Sequence, residues 1–188
     1  MKIIPMKTLV ALVAVIILNV AGHPQKAFAG DVELVLGTGS IKGKLFAAGN
    51  AISASSVLYG KGVKVYNYGT KGGKDNVKRV TKKKKSISLG IVATKDLSKA
   101  KAKQIKKLSG LMSLGTLKGK QVLMIVRNKA PKKVSKAAYA AAIAEVVRFM
   151  QSNKAKKLIK KEWNGYAPGS GADAFKKAGV KIHKAAAK

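Results

Sequence analysis

The chain has 188 residues, with 39 Lys and Arg against 7 Asp and Glu, a formal charge of +32, no cysteine and 47% hydrophobic residues. These figures exclude disulfide stapling, thiol catalysis and cysteine-ligated metal, and the apolar content is too high for a disordered basic tail. They describe a folded, strongly basic protein of one domain or two small lobes.

At the N-terminus, Lys2 and Lys7 flank the start of an almost unbroken apolar run from Thr8 to Ala21, and Ala27-Phe28-Ala29 is a small-x-small cleavage signature. The run falls short of the roughly 20 apolar residues of a spanning helix and is followed by Gly22, His23 and Pro24. The expectation is a secretory signal over residues 1–29, cleaved after Ala29. The product would be periplasmic or otherwise secreted, and not an integral membrane protein. Cleavage removes only Lys2, Lys7 and Lys26 from the basic set. The remaining charge is far above the magnitude of about 2–8 usual for a small domain, which points to anionic partners or an acidic surrounding.

Beyond the signal, strand and helix signals alternate. Val32–Leu36 is a short β-favouring run that ends at Gly37-Thr38-Gly39-Ser40, and Lys44–Leu58 has the spacing of a helix. Val63–Tyr68 alternates as a second strand and ends at Gly69-Thr70-Lys71-Gly72-Gly73, with a short lysine-faced helix expected over Asp75–Lys84. Ser86–Ala93 reads as a buried strand, Asp96–Leu108 as a lysine-rich amphipathic helix and Gln121–Arg127 as a fourth strand. The last third reads as helical. Ser135 and Ser152 are candidate N-caps, Gly165–Gly171 breaks the chain, and Ala172–Ala178 forms a short helix ending at Gly179. The Lys-Ala tail from Lys184 is expected to fray. Strand, glycine turn and helix in repeated order predict an α/β fold.

The two glycine turns are the chemical candidates. Beyond strand ends, free backbone N–H groups and helix N-termini can cradle an anion, and these turns add the hydroxyls of Thr38, Ser40 and Thr70. Read from the residues alone, each turn is first of all a tight strand-to-helix connection with a hydroxyl cap. Neither has the spacing of a P-loop, so nucleotide binding through one is not expected.

Leu36-Gly37-Thr38-Gly39-Ser40, the aromatic-led helix from Phe46, Thr70-Lys71-Gly72-Gly73-Lys74-Asp75-Asn76 and the apolar strand Leu89–Val92 occur in an order that resembles the TAXI family of periplasmic solute receptors associated with tripartite transporters. The resemblance implies a type 2 periplasmic-binding-protein-like fold. This chain would supply one main lobe at 30–110, then a reduced second lobe and C-terminal helices at 111–188, with Leu111–Arg127 as a crossover between them. It implies ligand contacts from Thr38, Gly39, Ser40, Thr70, Gly72, Gly73 and Asn76. Gly73 stands where the family has a serine.

The other chemistries fare less well. A metal triad or a Ser-His-Asp arrangement cannot be drawn from His183, the one histidine beyond the signal. The seven carboxylates are scattered and read as caps or ion-pair partners, and no cofactor is called for. Of the basic residues only Arg79, Arg127 and Arg148 are arginine, and no aromatic residues interleave with the lysine runs, so nucleic acid is not expected as a partner. The expectation is a non-catalytic receptor for a small anionic solute that hands its ligand to a membrane transporter subunit. The alternative is a lysine-rich adaptor that docks on an acidic periplasmic protein, such as a redox enzyme or cytochrome, or on an anionic surface.

Overall fold

The computed structural model describes residues 31–82 and 87–187. The expected signal at 1–29 lies outside the described residues, as do residues 83–86, between the body of the expected Asp75–Lys84 helix and that of the expected Ser86–Ala93 strand.

The protein is α/β. Six strands form one mixed sheet: β1 (Val32–Gly37), β2 (Val63–Tyr68), β3 (Leu89–Ala93), β4 (Leu108–Leu117), β5 (Lys120–Arg127) and β6 (Tyr166–Gly169), in the spatial order β2-β1-β3-β5-β4-β6. The first three are parallel neighbours, and β5, β4 and β6 add on antiparallel. The helices are α1 (Lys44–Tyr59), α2 (Gly73–Thr81), α3 (Thr94–Leu97), α4 (Ala102–Ile105), α5 (Lys136–Gln151), α6 (Asn153–Glu162) and α7 (Ala172–Lys177).

The period of two along the strands feeds two cores. Leu34 and Leu36, Leu89 and Ile91, and Val122, Met124 and Val126 face one side, where α1, α5 and α6 cover them with Ile52, Ile143, Val146, Phe149 and Ile159. Val92, Leu123 and Ile125 face the other side and meet Val77 and Val80 of α2, Leu97 of α3 and Phe175 of α7. Both faces are thus closed, as parallel strands require. Residue 110, the end of the expected main lobe, falls inside β4, and segments on both sides of it share this one sheet.

The expected caps are present: the Ser135 hydroxyl accepts from the Ala138 N–H at 3.1 Å and the Ser152 hydroxyl from that of Ala155 at 3.3 Å.

Four local expectations are corrected. Asp96–Leu108 is not one helix. A continuous helix with Leu97 and Leu108 facing the core would bury Lys101 and Gln104 on the same stripe, so the segment breaks into α3 and α4, Lys101 stays exposed, and Leu108 opens a strand. Leu111–Arg127 is not a crossover but most of a hairpin, β4–β5, closed by Lys118 and Gly119, both at positive φ (50° and 69°). Within Gly165–Gly171 lies β6, which pairs with β4 where Gly115, at φ 117°, bulges toward the Gly165 carbonyl. The tail does not fray at Lys184: a 3₁₀ turn at Lys184–Ala186, capped by the His183 side chain, packs Ala185 and Ala186 against the first core.

Candidate functional site

The two glycine turns are fastened to each other by main-chain bonds. Thr38 N–H donates to the Tyr68 carbonyl at 3.1 Å, and Thr70 N–H donates to the Gly39 carbonyl at 2.9 Å. The first turn is also tied to α1. The buried Thr38 hydroxyl donates to Asn67 Oδ1 at 2.9 Å, while Asn67 Nδ2 donates to the Phe46 carbonyl and to Asn50 Oδ1. Gly49 lets α1 approach this network closely, since a Cβ there would lie 2.5 Å from Asn67 Oδ1.

The second turn is built around the start of α2. Gly72 N–H donates to Thr70 Oγ1 at 3.2 Å, and Gly72 itself adopts φ 95°, which other residues rarely do. Asp75 accepts from the Lys71 N–H at 3.2 Å and from Arg79 Nε at 2.8 Å. Burial pushes its carboxyl up, but the hydrogen bonds from Arg79 and Lys71 outweigh that and hold it below the ordinary range. Arg79 also lies over the Tyr68 ring, 5.5 Å from its centroid.

Beyond the carboxyl ends of β1 and β3 these pieces enclose a cleft of about 320 Å³. Its walls are the Thr38-Gly39-Ser40 turn and the N-terminal ends of α1 (Gly43, Lys44, Leu45) and α2 (Gly72, Gly73). Its apolar floor includes Ile91, Val122 and Leu117. Neither helix has a side-chain cap, and α1 has no acidic residue in its first turn, so their leading N–H groups are left for solvent or a ligand. Lys44, Lys118 and Lys120 bring three ammonium groups to the rim, against one carboxylate, Asp96, which lies against Gly73. The neighbouring Lys95 pushes Lys120 below the usual lysine range.

Of the residues expected to bind ligand, Thr38, Gly39, Ser40, Gly72 and Gly73 line this one cleft; Thr70 and Asn76 do not. Thr70 holds the second turn from behind. Asn76 is fully buried and donates from Nδ2 to the carbonyls of Thr38 (3.0 Å) and Ile91 (2.7 Å). The lysines and Asp96 were missed. The Lys118-Gly119 pair was a hairpin signal that would have brought Lys118 and Lys120 to the strand ends; Lys44 and Asp96 carry no such local mark.

Three other carboxylates have structural partners: Asp31 pairs with Lys64, Glu145 with Arg148, and Glu33 accepts from the Tyr66 hydroxyl. Among the described residues no three His, Asp or Glu side chains gather as a metal-binding group, and no helix is long and apolar enough to cross a membrane.

No protein-family model matches the chain, and no curated protein is similar to it.

Proposed function

We propose that the protein is a non-catalytic, exported binding protein for a small anionic solute held in the cleft between the two glycine turns. The observation that carries this reading is the convergence of two uncapped helix N-termini, the Thr38–Ser40 turn and three lysines on one concavity of about 320 Å³. Helix-end N–H groups fix the oxygens of a carboxylate or phosphate, and the lysines at the rim raise its local concentration by long-range attraction. The apolar floor suits a short carbon skeleton behind the anionic head. The fold is read as a type 2 periplasmic-binding-protein-like scaffold of the TAXI kind with a reduced second lobe, and a membrane transporter subunit is the partner that would receive the solute. The cleft's position beyond parallel strand ends is the general ligand position of open α/β sheets and supports this reading.

The test is a thermal-shift and calorimetric screen with organic acids, acidic amino acids and inorganic phosphate at low and high salt. One-to-one saturable binding is expected, weakened at least tenfold in Thr38→Ala. If no small anion shifts the melting temperature at low salt, the receptor reading fails.

A further inference from the structure

At the opposite end of α2 from the cleft lies a second and different concavity. Two adjoining hollows, of about 450 Å³ and about 280 Å³, share Thr81, Lys82 and Lys107 as lining and together make one grooved surface. It runs between the C-terminal half of α2, the α4 segment and the end of β5. Its walls carry Lys78, Lys82, Lys101, Lys103, Lys107 and Lys129, all exposed, and among the described residues no carboxylate lines it.

The chemistry of those walls is one-sided. Gln104 Oε1 already accepts from the Lys101 N–H, Asn128 Oδ1 accepts from the Ser109 hydroxyl, and the carbonyls of Arg79 and Val80 at the end of α2 and of Lys82 just after it accept from the Arg127 guanidinium. These acceptors are engaged within the protein, and ammonium donors dominate what faces a guest. A peptide brings an N–H at every residue and would find few acceptors here. A bilayer is flat and does not enter a groove. Single-stranded nucleic acid is poorly served, because among the described residues the groove has no aromatic platform and its one arginine is turned onto α2. The guest that fits is a flexible, unbranched chain whose every unit offers only oxygen acceptors.

We propose that this groove binds a linear chain of phosphate groups of the inorganic polyphosphate type. It is independent of the solute cleft, lies at the other end of α2, and gives the protein's lysine excess a specific counter-charge.

The experiment is titration of the purified protein with medium-chain inorganic polyphosphate, followed by calorimetry. Polyglutamate and phosphatidylglycerol vesicles serve as competing probes. With about five ammonium contacts, the apparent Kd is expected to rise about a hundredfold between about 50 and 200 mM salt. The triple reversal Lys101→Glu/Lys103→Glu/Lys107→Glu should weaken binding more than tenfold. An equal reversal on the opposite face of the sheet, Lys154→Glu/Lys157→Glu/Lys160→Glu on α6, should change it less than threefold. A milder Lys101→Gln/Lys103→Gln/Lys107→Gln triple guards against misfolding and should also weaken binding. Equal losses from the two reversals would mean that net charge alone binds the chain and would overturn the proposal. So would unchanged binding in the glutamine triple, or tighter binding of polyglutamate or of the vesicles.

Discussion

The carboxamide nitrogen of Asn76 on α2 donates to the main-chain carbonyl of Thr38, just beyond β1, at 3.0 Å. The same nitrogen reaches the Ile91 carbonyl in the middle of β3 at 2.7 Å, so one buried side chain ties the end of β1, β3 and the first turn of a helix together. Space for it comes from Gly37 and Gly90, register partners on β1 and β3; a Cβ at Gly37 would lie 2.7 Å from Asn76 Oδ1. That Oδ1 is buried without a partner, which adds a desolvation cost that the two donated bonds must offset. Asn76→Ala strands both carbonyls and opens a void, so a loss of about 2–4 kcal/mol is expected in chemical denaturation. A loss under about 0.5 kcal/mol would show that the pin is dispensable.

Gly49 is the second contact on which the cleft depends. A Cβ there would lie 2.5 Å from Asn67 Oδ1 and 2.6 Å from Thr38 Cγ2, so α1 must withdraw or the Thr38–Asn67 bond must break. Alanine improves helix propensity by about 1 kcal/mol, while overpacking costs about 1–3 kcal/mol. Gly49→Ala is therefore expected to be neutral to moderately destabilising by melting temperature but to weaken anion binding clearly, because it displaces the Thr38 turn. Unchanged binding would detach the cleft from this network.

What was legible in the sequence followed from local signals. β1, α1, β2 and the capped α5 and α6 were visible because their periodicity is clean and their ends carry glycine or serine. β4 was not. Leu108–Leu117 is buried on both faces over most of its length and contains two glycines, two serines and a single β-branched residue, Thr116, so it shows no alternation, and its strand character comes from pairing with β5 and β6. β6, at four residues with Pro168 inside, is held by β4 and by Trp163, whose indole N–H donates to the Thr116 carbonyl at 3.0 Å. The site divided in the same way. The turns were recognisable as motifs, but Asn76 as a pin and Asp96 as a wall depend on packing between distant segments.

The hairpin at Lys118-Gly119 offers a stabilising change. Both turn residues lie at positive φ, a type I′-like pattern in which Asn-Gly is the preferred pair and lysine is strained. Lys118→Asn is expected to raise stability by about 0.5–1 kcal/mol, read as a higher melting temperature. Lower stability would mean that the lysine makes a compensating contact.

Glu145 sets an acid limit. The Arg148 hydrogen bond is the largest cause holding its carboxyl below the ordinary range; burial opposes it, and the Lys61 N–H at 2.7 Å assists. Arg148 also donates to the Tyr59 carbonyl, so the pair ties α5 to the end of α1. A carboxyl lowered in the folded state contributes stability above its unfolded value, near pH 4.3, and loses it as pH falls through the folded value. Arg148 is half exposed, so the contribution is about 1 kcal/mol or less. The gap in melting temperature between wild type and Glu145→Gln should be constant above about pH 5 and shrink below about pH 4.3. A gap that widened on acidification would contradict the sign.

Asp96 gives the sharpest test of what the cleft is charged to hold. Among the described residues it is the only carboxylate on the cleft wall, and it lies against Gly73, at the uncapped start of α2 where an anionic ligand would bind. Within a few ångströms a like charge opposes an incoming anion, and the opposition grows with ligand charge. Asp96→Asn keeps the shape and removes the charge. It should tighten a dianion such as hydrogen phosphate several-fold, a monocarboxylate less, and a neutral analogue not at all. Lys120→Gln should move the same series the other way, and with a smaller salt dependence than the parent. If Asp96→Asn instead weakened every ligand, the carboxylate would be recognising a positive group, and the solute would be zwitterionic rather than purely anionic.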